Sequence, residues 1–118
     1  MRYYSSATVR FGAGHALPNE WCGDKPHGHQ YTVTVSWERE GFAATDLIQW
    51  IDIRQKSLDL ALELKNRQLD KMLGSAVPNV YGVASFFMER LAINAPVTRI
   101  EVREDDDPVA TIEREVEI

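Results

Sequence analysis

Cysteine occurs once in this 118-residue chain, at Cys22, and histidine three times, all between positions 15 and 29. A lone cysteine cannot close an intrachain disulfide, and its rarity fits a reducing compartment. There is no basic excess either: 13 Lys and Arg against 18 Asp and Glu leave a net charge of −5. With those basic residues scattered, nothing is arranged to neutralise phosphates, so nucleic acid is not an expected partner. No apolar run approaches the roughly 20 residues of a membrane helix, and no membrane partner is expected. The start MRYYSSATVRF has neither a charged leader nor an apolar signal core, so the expected location is the cytoplasm. Repeats, low-complexity tracts and linkers are also lacking. The expectation is one domain over 1–118, of a size that buries roughly two thirds of its unfolded surface in one modest core.

What is present is patterned. Residues 2–14 alternate, with Tyr3, Ala7, Val9, Phe11 and Ala13 in the apolar phase and Arg2, Ser6, Thr8 and Arg10 in the polar one. That predicts a half-buried strand, and His15 extends its apolar phase. Residues 27–38 repeat the pattern, setting Tyr31, Val33, Val35 and Trp37 against Gln30, Thr32, Thr34 and Glu38. A helix is predicted from Asp52, where Asp52 and Gln55 resemble a capping box and Ile53, Leu58, Ala61, Leu62 and Lys65 fall near helical spacing. A second follows Pro78-Asn79, with Val80, Val83, Ala84, Phe87 and Leu91 on one face and Gly82 weakening its first turn. Two strands close the chain: Thr98, Ile100 and Val102 in one, then, after the turn at Asp106-Asp107-Pro108, Ala110, Ile112, Val116 and Ile118 in the other. The order ββααββ predicts an α+β fold, a four-stranded antiparallel sheet with both helices on one face. Its two open edges predict a homo-oligomer.

The histidines follow the strand phases. Residues two apart in a strand share a face, so His27 and His29 project together, and an antiparallel pairing brings His15 to them. Three imidazoles with an open fourth position are the ligand set of a catalytic zinc ion, and zinc suits a cluster without carboxylates. Cys22 then has two roles open to it. As a fourth ligand it makes the site structural; as a free thiol beside zinc it is a base or nucleophile, the reading favoured by the open-site rule. Glu104 carries the inward phase of Ile100 and Val102 at its strand's end, and a buried carboxylate needs donors or a cation. Either it pairs with Arg114, which is also inward, or it receives ligand N–H groups.

Phe11-x-Ala13-x-His15, then Cys22, then His27-Gly28-His29 resembles the zinc signature of the 6-pyruvoyl-tetrahydropterin synthase family, which includes the 6-carboxy-tetrahydropterin synthases of the 7-deazaguanine (queuosine) pathway. The resemblance implies the tunnelling fold (T-fold), hexamers built as dimers of trimers, and active sites between subunits. It implies Zn2+ on His15, His27 and His29, a catalytic Cys22, and Glu104 holding the pterin of a pterin triphosphate substrate. The implied activity is a zinc-dependent lyase converting 7,8-dihydroneopterin triphosphate to 6-carboxy-5,6,7,8-tetrahydropterin. The sibling activity yields the 6-pyruvoyl product.

Two segments depart from the family pattern. The Asp-His pair of the family's Cys–Asp–His triad aligns here with Asp70 and Lys71, and every histidine of the chain is already in the zinc cluster. Lys71 replaces the histidine if its pKa is depressed, and is otherwise a solvated surface lysine. The Asn-Pro-Thr-x-Glu segment before the second helix reads Asn79-Val80-Tyr81-Gly82-Val83. The departures motivate two other readings, a zinc-containing pterin- or purine-binding protein without catalysis and a purely structural zinc domain.

Overall fold

A computed structural model describes residues 2–15, 27–39, 46–73 and 78–115. Cys22, Val116 and Ile118 lie outside these residues, so their expected roles and strand phase do too. The elements run β1 (Tyr3–His15), β2 (His27–Arg39), α1 (Asp46–Leu64), α2 (Leu69–Met72), α3 (Val80–Leu91), β3 (Arg99–Glu104) and β4 (Val109–Glu113). The strands form one antiparallel sheet in the order β1-β2-β3-β4.

Alternation is what builds the sheet. Along β1, Ala7, Val9, Phe11, Ala13 and His15 are buried while Ser6, Thr8 and Arg10 are exposed, and β2 buries Tyr31, Val33, Val35 and Trp37 in the same way. The register stacks these positions across the strands: Val9 faces Val33, which faces Val102, and Val35 lies between Ala7 and Ile100. Helices α1 and α3 cover this face, α1 over β1 and α3 over β3 and β4. Ile53, Ala61 and Leu64 of α1 and Val80, Val83, Ala84, Phe87 and Leu91 of α3 complete the core. Phe11 stacks between Tyr31 and Phe87, with ring centroids 5.4 and 6.2 Å away. Such aromatic pairs add about 0.5–1.5 kcal/mol each beyond area burial.

The second predicted helix begins where its capping signal places it. Asn79 is extended and its Oδ1 accepts from the backbone N–H groups of Tyr81 and Gly82 at 3.0 and 3.3 Å, satisfying two of the donors that a helix start leaves open. Gly82 is buried in that first turn.

The first helix departs from expectation. It starts at Asp46, which pairs with Arg39 at the end of β2, rather than at Asp52. Asp52 and Gln55 sit inside it and make i,i+4 contacts, Asp52 with Lys56 at 2.9 Å and Gln55 donating to Asp59 at 3.0 Å. A capping box and an i,i+4 pair draw on the same residue types, which is why the sequence pattern misplaced the start. Leu62 and Lys65 are exposed; the buried stripe is Ile53, Ser57, Ala61 and Leu64.

After α1 the chain turns back through Asn66, at a left-handed φ of 59°, a common way to end a helix. It then runs along the free edge of β1: Asn66 N–H donates to Gly12 O at 2.7 Å and Gly14 N–H to Arg67 O at 2.9 Å. Glycine at position 14 suits this close approach, because a Cβ there would lie 2.9 Å from Gln68 Nε2, which would have to move, and 3.1 Å from His27 O. The one-turn helix α2, not anticipated from the sequence, follows and buries Leu69.

Candidate metal centre

Three strand ends meet at one corner of the sheet. His15 pairs with His27 across β1 and β2, His29 faces the small Ala13, and the next inward row is Phe11, Tyr31 and Glu104. The imidazoles therefore occupy adjacent positions on the core face, and their ring centroids are 4.7, 4.8 and 4.8 Å apart. The rings stand at 74–86° to one another, like blades around a common point.

The hydrogen bonds decide which ring nitrogen carries the proton. His15 Nδ1 lies 2.6 Å from the carbonyl oxygen of Pro78, and His29 Nδ1 lies 2.7 Å from Asp105 Oδ2. Neither partner can donate, so both Nδ1 atoms carry a proton, and in the neutral rings both Nε2 atoms present a lone pair. His15 Nε2 and His27 Nε2 are 3.1 Å apart. Two nitrogens bound at about 2.0–2.1 Å to one tetrahedral ion would be about 3.3 Å apart. One ligand atom from each histidine lies within 4.8 Å of the others, so the donor set fits a metal ion once the wider pairs draw in. This is the only such group among the described residues.

Glu104 closes the site from the β3 side. It is 8% exposed, accepts from Tyr31 O–H at 3.0 Å, and places Oε1 3.6 Å from both His15 Nε2 and His29 Nε2. Of the two sequence readings for Glu104, the pairing with Arg114 is not formed. Because β4 runs antiparallel to β3, Arg114 lies beside Thr98 at the far end, where it donates to the carbonyls of Val97 (2.7 Å) and Ala95 (3.1 Å). The carboxylate thus has one hydroxyl donor, and the two imidazole nitrogens that face it at 3.6 Å make no hydrogen bond to it, so accepting capacity is left over.

Sequence reasoning missed two contributors. Strand alternation marks Tyr31 only as an apolar-phase residue, yet its hydroxyl fixes Glu104 and sits 3.4 Å from His15 Nδ1. Asp105 gave only a weak signal, the acidic run from Glu104 to Asp107 where a strand ends. Its carboxyl is held below the usual carboxylate range, first by the Gln30 backbone N–H and then by His29. Asp70 and Lys71 are brought no closer to the chemistry than the surface of α2: both are exposed, and neither makes a hydrogen bond or ion pair with the histidines among the described residues.

Residues 4–115 match the 6-pyruvoyl tetrahydropterin synthase family, nearly the whole chain. The chain belongs to that family. The 6-pyruvoyl tetrahydropterin synthase fold is likewise what its structural neighbours share. The synthase from Caenorhabditis elegans superposes with a TM-score of 0.80 at 18% identity, covering 98% of this chain and 97% of its own. An uncharacterised protein from Wolinella succinogenes gives 0.60 at 17% identity, covering 98% and 99%. The Plasmodium falciparum synthase gives 0.62 at 12% identity, covering 98% and 99%. No curated relative matches by sequence. The tunnelling fold, with its antiparallel sheet and helices, is thus established for the chain. No helix among the described residues is long and apolar enough to cross a membrane.

Proposed function

We propose that this chain is a zinc-dependent lyase acting on a pterin triphosphate, converting 7,8-dihydroneopterin triphosphate and one water to 6-carboxy-5,6,7,8-tetrahydropterin, acetaldehyde and triphosphate. Membership of the 6-pyruvoyl tetrahydropterin synthase family supports a tetrahydropterin-synthase-like lyase. The observation that carries the reading is the convergence of three imidazoles beside a nearly buried carboxylate that has no lysine or arginine partner among the described residues.

His15, His27 and His29 would hold zinc through Nε2, leaving an open position. When bound, the ion supplies Lewis acidity toward the hydroxyl and carbonyl groups of the pterin side chain. Glu104, steadied by Tyr31, receives N–H groups of the pterin ring and so sets which side-chain carbon faces the histidines. Cys22 moves protons at those carbons. Asp70 and Lys71 hold the positions of the family's Asp-His pair, but the exposure of Lys71 favours a solvated lysine over a replacement base. The edge of β4, unpaired among the described residues, and the partly covered edge of β1 support assembly of subunits through their sheets, a hexamer being the expected form.

Purified, zinc-loaded protein incubated with 7,8-dihydroneopterin triphosphate, with products followed by mass, tests the reading. The expected result is the 6-carboxy product with acetaldehyde, lost in Cys22→Ala while zinc is kept. A product that retains its side chain after triphosphate loss assigns the 6-pyruvoyl reaction instead. Tight pterin binding with no turnover contradicts the lyase and favours a binding protein, the outcome that an exposed Lys71 in place of histidine would produce.

A further inference from the structure

Along an extended strand consecutive side chains point to opposite faces. Glu104 and Asp105 are consecutive, yet both reach His29: Glu104 Oε1 is 3.6 Å from Nε2 and Asp105 Oδ2 is 2.7 Å from Nδ1. The exception arises because β3 ends at Glu104 and Asp105 takes a left-handed φ of 51°, a conformation Asp tolerates better than most residues. The aspartate is then fastened to the residue after His29 by two further bonds. Its N–H donates to Gln30 O at 2.7 Å, and its Oδ1 accepts from Gln30 N–H at 2.9 Å. The carboxylate is therefore fixed relative to the ring it faces.

We propose that Asp105 is a positioning residue of the metal centre: its carboxylate keeps the proton of His29 on Nδ1 and turns Nε2 toward the ion. The inference rests on the reading of the three histidines as metal ligands. Asp105 does for His29 what the Pro78 carbonyl does for His15. A carboxylate in this place also fixes the ring's rotation and raises its basicity as a ligand. A residue that served only to turn the chain would need the left-handed backbone but no oxygen at Nδ1.

Asp105→Asn separates these roles. Asparagine accepts the left-handed φ, and its Oδ1 can still accept from Gln30 N–H. Its amide NH2 then faces His29 Nδ1 and favours the opposite tautomer, with the proton on Nε2. Zinc affinity, measured by competition with a chromophoric chelator, is expected to fall about 10- to 100-fold. In the metal-free protein the imidazole nitrogen shifts of His29 should report Nδ1–H in the wild type and Nε2–H in the variant. Asp105→Gly, which keeps the backbone and removes the carboxylate, should lose less affinity than Asn because it imposes no wrong tautomer. Wild-type protein that binds zinc beside an Asn variant of equal affinity overturns this inference alone. Wild-type protein that takes up no zinc overturns the metal reading and this inference with it.

Discussion

His27→Ala should lose zinc and turnover together while the protein stays folded. Structural zinc sites contribute about 10–16 kcal/mol over four ligands, so one imidazole accounts for roughly 2.5–4 kcal/mol. That corresponds to an affinity loss on the order of a hundredfold or more. His27 is the best of the three to remove because it is only half-buried, whereas His15 is fully buried and tied to Pro78. The fold should survive because the core is an apolar cluster running from Ala7 to Ala110, with neither His27 nor His29 among its members. The checks are metal content after dialysis and the thermal melts of metal-free variant and wild type, which should coincide. A variant that keeps its zinc would remove His27 from the ligand set. A metal-free wild type that is unfolded would make the site structural.

Glu104→Gln should weaken pterin binding on the order of a hundredfold and leave zinc in place. Glutamine keeps the shape and can still accept from Tyr31 O–H, but it loses the charge. Hydrogen bonds to a charged group are worth about 1.5–3 kcal/mol against about 0.5–1.5 for neutral ones, so two ring N–H donors lose about 2–3 kcal/mol. The loss should appear in KM, or in the dissociation constant of an unreactive pterin, since ring contacts act on substrate and transition state alike. Unchanged binding would strip Glu104 of its role. Loss of zinc would instead make it a metal ligand, an outcome its position 3.6 Å from two Nε2 atoms makes worth measuring.

Much of this arrangement can be read from the sequence because strand periodicity carries three-dimensional information. The phases of His15, His27 and His29, and of Glu104, predicted one shared face, and the register delivers them there. The family signature added the roles. What periodicity could not convey is equally physical. The first turns of α1 were hidden because Leu47, Ile48 and Ile51 are exposed and break the apolar stripe. Four residues of α2 are too few to show a period. Asp105 escaped because a single left-handed residue reverses the alternation on which the phase argument depends. The phase argument gave Arg114 the correct face but not its place along the strand, which only the antiparallel register reveals.

An open centre of three histidine nitrogens is best tested by X-ray absorption at the zinc edge of the loaded protein. The expected spectrum shows nitrogen and oxygen neighbours alone at about 2.0–2.1 Å, three of them imidazoles and the remainder water. A sulfur neighbour at about 2.3 Å would put Cys22 on the metal, close the shell and contradict a catalytic site.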